Sequence, residues 1–137
     1  MNTSFALAAI AILIGTAGCG SSDTTTSTPT TPTVTRTTDT FSGTVAVGGH
    51  DFHTFVVGAA GPIDVTLTVA NPSVVMGLAI GTPGATCPPL AGATVNAAPG
   101  ATAQLGGLAS AGTLCVDVRD VGSQSAPVTY TVTVLHP

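Results

Sequence analysis

The chain contains no lysine, no glutamate and no tryptophan, and its 137 residues carry only two basic side chains, Arg36 and Arg119. Charged residues make up 6% of the sequence, against about 25% in an ordinary soluble domain. Nucleic-acid binding rests on clustered Lys and Arg that neutralise phosphates, so this composition excludes it. Adhesion to anionic lipid through a polybasic patch fails on the same ground. The shortage of acid–base groups also speaks against catalysis: there are three His, no Lys and no Glu, and no GxSxG nucleophile motif. No enzyme and no cofactor are expected. Aromatic residues are 4% of the chain, which weakens a reading as a carbohydrate binder built on exposed rings.

What the sequence has instead is Thr, Val, Gly and Pro. Thr supplies polarity without charge, and the high apolar fraction, 44%, separates the chain from disordered ones. Strong helix-forming polar residues are almost missing, so the composition reads as all-β.

The first segment is different in kind. Residues 5–17, "FALAAIAILIGTA", form an uncharged apolar run. It suits the core of a signal peptide and falls short of the roughly 20 residues a membrane-spanning helix needs. It ends in "TAGC", Thr16 to Cys19, which resembles the lipobox of bacterial lipoproteins. The resemblance implies a signal peptide over 1–18, cleavage before Cys19, and lipid on the new N-terminal Cys19. "MNTSF" departs from such signals in lacking a basic residue. The alternative is an ordinary secretory signal cut near Ala17 or Gly18, leaving Cys19 free. Residues 20–40, "GSSDTTTSTPTTPTVTRTTDT", are too polar and Pro-interrupted to bury anything and read as a tether. A flexible chain of that length spans about 25 Å. The expected organisation is therefore 1–18 signal, 19–40 lipidated Cys and disordered Thr/Ser/Pro-rich linker, and 41–137 a folded domain. The expected address is the bacterial cell envelope; Gly20 rather than Asp after the cysteine favours the outer membrane where there are two.

From Phe41 onward, period-two alternation dominates. In "PIDVTLTVA", Ile63, Val65, Leu67 and Val69 are expected on one face and Asp64, Thr66 and Thr68 on the other. "PVTYTVTVL" sets Val128, Tyr130, Val132 and Val134 against Thr129, Thr131 and Thr133. "TLCVDVRD" sets Leu114, Val116 and Val118 against Cys115, Asp117 and Arg119. Further strands are expected over 41–47, 53–58 and 74–81, while 91–97 and 101–108 alternate less clearly. Turn sequences such as "GGHD", "GAAGP", "ANPS" and "GTPG" separate these runs. Seven or eight short strands, each with one polar face, describe a single antiparallel β-sandwich of jelly-roll type.

Of three cysteines, lipidation of Cys19 leaves Cys87 and Cys115 as a pair in an exported domain, where disulfides persist. The bridge closes a loop of about 29 residues, worth about 3.6 kcal/mol by chain entropy. Because Cys115 alternates outward, the bridge is expected to pin the loop "GTPGATCPPLAG" over the outer surface of a sheet. The alternative is two free thiols; without CxxC spacing they form no zinc motif.

The densest cluster of chemistry-bearing residues is "HDFHTF", with His50, Asp51 and His53. Two imidazoles beside a carboxylate are candidate metal ligands. On a strand, however, residues three apart face opposite ways. His50 is expected in the preceding turn and His53 on the core side with Phe55 and Val57, so a metal site needs distant partners such as Asp117 or His136. Asp64, Asp117 and Asp120 are scattered candidates for calcium; the plainer reading gives them solubility and turn capping, with Asp120 in an Asx-type turn.

The whole of 41–137 resembles the bacterial pre-peptidase C-terminal (PPC) domain. The matching positions are Phe41, Gly43, Asp51, Phe55, Val57, Gly112, Thr113, Val116, Val118, Tyr130 and Val134. His53 and Leu114 stand where that family often has an aromatic residue. The resemblance implies a jelly-roll-like sandwich that accompanies exported enzymes as an accessory in secretion, stability or adhesion. No catalytic partner is present in this chain. The expected function is a non-enzymatic, lipid-anchored envelope protein whose sandwich binds protein or polysaccharide. The alternatives are a structural envelope component and an accessory subunit of an exported hydrolase.

Overall fold

The computed structural model describes residues 33–137. The expected signal peptide 1–18, the lipidated Cys19 and the linker as far as Pro32 lie outside the described residues. The rest is eight strands: β1 (Thr37–Val45), β2 (His50–Val57), β3 (Gly61–Asn71), β4 (Met76–Gly81), β5 (Pro89–Ala97), β6 (Leu105–Ala109), β7 (Gly112–Asp120) and β8 (Val128–His136). Of the two weakly alternating runs, 91–97 lies within β5, whereas only 105–108 of the run 101–108 is strand, in β6. Their inward positions are Ala and Gly as well as Val and Leu, which blurs the hydropathy pattern.

All strand pairs are antiparallel, in two four-stranded sheets ordered β1-β8-β3-β6 and β2-β7-β4-β5. The topology has a simple origin. The pairs β1/β8, β2/β7, β3/β6 and β4/β5 are nested, as in one long hairpin folded at the β4–β5 loop. Rolling that ribbon brings β8 beside β3 and β7 beside β4, which is the jelly-roll arrangement of two Greek keys. The inward faces of the two sheets close on each other. Val45, Val65, Leu67, Met76, Leu78, Val116, Val118, Val128, Val132 and Val134 are all fully or nearly fully buried there.

Three details differ from the sequence reading. The first strand starts at Thr37 rather than Phe41, because Thr37 to Thr40 pair with His136 to Thr133 of β8. Just ahead of it, Arg36 donates to Asp64 at 2.7 Å and to the carbonyls of Pro62 and Leu135, fastening the start of the domain across β8 to β3. Thr-rich composition hid this, since outward-facing strand residues and linker residues have the same chemistry here. Second, a register shift between Leu67 and Val69 turns Val69 out to solvent and brings Ala70 into the core instead. A bulge inverts the alternation downstream of it. Third, His50 is the first residue of β2, paired with Arg119, and not part of the preceding turn.

The β4–β5 loop, residues 82–88, forms a strap over the outer face of the β2-β7-β4-β5 sheet. Cys87 in the strap is bonded to Cys115 on β7, with Cα atoms 6.0 Å apart. Cys115 and Asp117 alternate outward, opposite Val116 and Val118, yet both are completely buried. β4 supplies the floor through Gly77, Ala79 and Gly81. A methyl group on Gly81 would press on the Cys87 and Pro88 carbonyls, and one on Gly77 on the Arg119 side chain.

Candidate functional site

Three places bring polar or accessible groups together. The first is an open cleft of about 350 Å³ where the two sheets part at their edge strands, β5 and β6. Core residues Ile63, Val65, Ile80 and Leu105 form its depth, and Leu90 and Leu108 stand at its rim. Leu108 is 88% exposed, by far the most exposed large apolar side chain of the described residues. The cleft has a local cause. Register with Ile63 makes residue 107 the inward position of β6 between Leu105 and Ala109, and residue 107 is glycine. A Cβ built there meets nothing within 4 Å. Among the described residues, no charged or aromatic side chain lines the space.

The second place is the strapped outer face. Asp117, fully buried, accepts a hydrogen bond from His50 Nδ1 at 2.6 Å on one oxygen. Its other oxygen accepts from Arg119 Nε at 2.7 Å, and Arg119 Nη2 is in ion-pair contact with it at 2.6 Å. The ring of Phe52 lies parallel to the His50 imidazole within 17°, at a centroid distance of 6.1 Å. Beside them is a second cavity of about 340 Å³ between the β1–β2 turn and the strap. Asp120 closes one side, but its carboxylate is engaged with main-chain amides of Gly48, Gly122, Ser123 and Gln124. The Gly48 amide above all, with the other three, holds the Asp120 carboxyl below its usual range against a partial desolvation.

The third lies on the opposite, inward side of β2. Tyr130 donates its hydroxyl to Asp51 at 2.7 Å and accepts from His53 Nε2 at 2.8 Å. His53 stacks on Phe41, 4.9 Å between centroids and 6° from parallel. Gly43 makes room, because a side chain there would collide with both Asp51 and the Tyr130 hydroxyl. Burial of the ring, reinforced by the Asp51 carboxylate, drives the Tyr130 hydroxyl far above its ordinary pKa, so it remains a proton donor at all ordinary pH.

The structure thus separates the candidate ligands His50, Asp51 and His53. His50 belongs to Asp117 on the outside, while Asp51 and His53 belong to Tyr130 on the inside. His136 is bonded instead to Asp39 at 3.0 Å. Among the described residues no three His, Cys or acidic side chains come together to hold a metal ion. Asp64 is occupied by Arg36, and Asp120 caps its own turn as expected. The His50–Asp117–Arg119 cluster and the β5/β6 cleft escaped the sequence reading. The small residues at alternate positions of "MGLAIG" were the available signal for a strap, and the glycines of "LGGLA" for a gap. No known protein-family model matches this chain, and no curated protein matches it.

Proposed function

We propose that this chain is a non-enzymatic binding module of the bacterial cell envelope, exported and held to a membrane by lipid on Cys19. In this reading its sandwich is related to the PPC domain. That relationship is supported by Phe41, Gly43, Asp51 and Tyr130, four positions that carry the resemblance and that meet in one cluster around His53. The observation that carries the binding function is the β5/β6 cleft. An apolar space that opens beside a strand edge left unpaired among the described residues, with Leu90 and Leu108 at its mouth, suits an extended segment of another protein. The edge of β6 supplies free main-chain N–H and C=O groups, and the cleft receives alternate side chains. The segment is expected to be uncharged and apolar at every second residue, because nothing charged lines the space. A polysaccharide fits the cleft less well, since no ring is there to stack on it.

Gly107→Val tests this directly. It fills the inward gap on β6 with a β-branched side chain in ordinary backbone conformation, and should stabilise the domain by about 1–2 kcal/mol. Labelled extended peptides alternating Val and Thr should bind the native protein in an anisotropy titration and not the variant. Binding that survives in Gly107→Val, or no peptide binding at all, would reduce the cleft to a packing defect. A structural coat role is the second reading, and one observation favours it. The outer face of the β1-β8-β3-β6 sheet carries a grid of hydroxyls: Thr40, Thr133 and Thr66 in one row, and Ser42 and Thr131 in the next.

A further inference from the structure

We propose that the pocket beside His50 and Arg119 is a binding site for a neutral saccharide, separate from the β5/β6 cleft and independent of what the cleft binds. Asp117 orients the site: a carboxylate can only accept, so His50 Nδ1 carries the proton of that 2.6 Å bond and Nε2 lies on the far side of the ring. Arg119 spends Nε and Nη2 on the same carboxylate. Among the described residues, His50 Nε2 and Arg119 Nη1 have no partner, and both residues line the cavity. Their exposures, 41% and 39%, contrast with 0% for the carboxylate that orients them. The site is therefore built from within: a buried acid fixes an imidazole and a guanidinium at a surface depression.

Charge narrows the ligand class. The groups around His50 are Asp117, Arg119 and Asp120, all from β7 or its end, while the strap and the β1–β2 turn contribute only Thr86, Pro88, Pro89, Gly48 and Gly49. Arg119 and Asp117 cancel. Asp120 repels an anion, and its engagement by four main-chain amides leaves it little to offer a cation. What remains is a guanidinium donor beside an imidazole edge, a threonine that can give or accept, and two proline faces. Adjacent hydroxyls of a pyranose ring match such a set because each hydroxyl both gives and accepts, and the C–H face of the ring suits proline. Without an aromatic platform the affinity is expected to be modest. The strap holds the proline wall in place through Cys87, which adopts a left-handed backbone (φ 48°) rarely taken by a residue other than glycine.

The test is a saturation-transfer NMR titration of the full chain with short neutral oligomers of glucose, mannose, galactose and N-acetylglucosamine, and with uronic acid oligomers as charged probes. At least one neutral oligomer should bind saturably. His50→Ala should weaken it about tenfold, the loss of one hydrogen bond, and should also lower the thermal midpoint, because the buried Asp117 carboxylate loses a partner. His50→Gln, which keeps a hydrogen-bonding side chain, should recover part of the affinity. Failure of every neutral oligomer, stronger binding of the uronates, or equal binding by His50→Ala would each overturn the proposal. The cleft, read out by peptides and Gly107→Val, stands or falls separately.

Discussion

The two outward faces of the sandwich follow the same alternation and end in opposite chemistry. On the β1-β8-β3-β6 sheet the outward positions are mostly Thr and Ser, with Asp64, Val69 and Leu108 among them, and the hydroxyls are open to water and hydrogen-bonded to one another or to nearby carbonyls. On the β2-β7-β4-β5 sheet they include Cys115, Asp117 and Arg119, with glycine and alanine beneath a disulfide-pinned strap. The first face needs nothing from the rest of the chain. The second is a third layer, in which a buried carboxylate is tolerable only because His50 and Arg119 satisfy it and the strap covers it. Burial in a two-sheet fold is therefore not read from strand parity alone; a covering loop turns an outward position into an interior one.

The largest effect should come from removing the strap's anchor. With Cys87 and Cys115 both replaced by alanine, the loss should approach the 3.6 kcal/mol or so of the chain-entropy account, lowering the thermal midpoint by roughly 15 °C or more. Amides of residues 82–88 should exchange faster than the strand amides below them. A loss under about 1 kcal/mol would mean that packing of the prolines and Arg119 holds the strap without the bridge, and the contrast between the faces would then be one of side-chain fit.

Asp117→Asn probes the layer one step further in. The amide keeps the shape but removes the charge and turns one N–H towards donors. Arg119 and His50 both reach water, so the penalty should be smaller than for a sealed ion pair, about 2 kcal/mol. Urea unfolding measures it. A neutral outcome would show that the carboxylate is a placement device for the pocket and contributes little to stability, which would sharpen the proposal for His50 and Arg119.

Much of this was legible in advance, for identifiable reasons. Alternating runs such as "PVTYTVTV" settle both strand and face, because every inward residue is large and apolar and every outward one is Thr. The disulfide and its outer-face position followed from counting cysteines and from the parity of Cys115. The start of β1 did not, since Thr37 to Thr40 look like tether until their pairing with β8 is known. Nor did the orientation of Val69, which depends on a bulge between two residues with no turn signal. The His50–Asp117–Arg119 cluster joins residues 67 positions apart, and that proximity comes from the nested pairing of β2 with β7. Alternation could separate His50 from His53, but only register could give His50 its partner.

The smallest effect should lie on the threonine face. Thr131→Val keeps the β-branched shape and deletes a hydroxyl whose side-chain partner is Ser42 Oγ at 3.0 Å, in an exposed setting. Water takes the place of either hydroxyl there, so the stability change should stay within about 0.5 kcal/mol in either direction. The main chain of Thr131 still accepts from Thr68 Oγ1, and the strand is unaltered. A cost above about 1 kcal/mol would indicate that the hydroxyl rows act as a connected network. The open face would then be as interdependent as the strapped one, and its regular spacing would become the feature to explain.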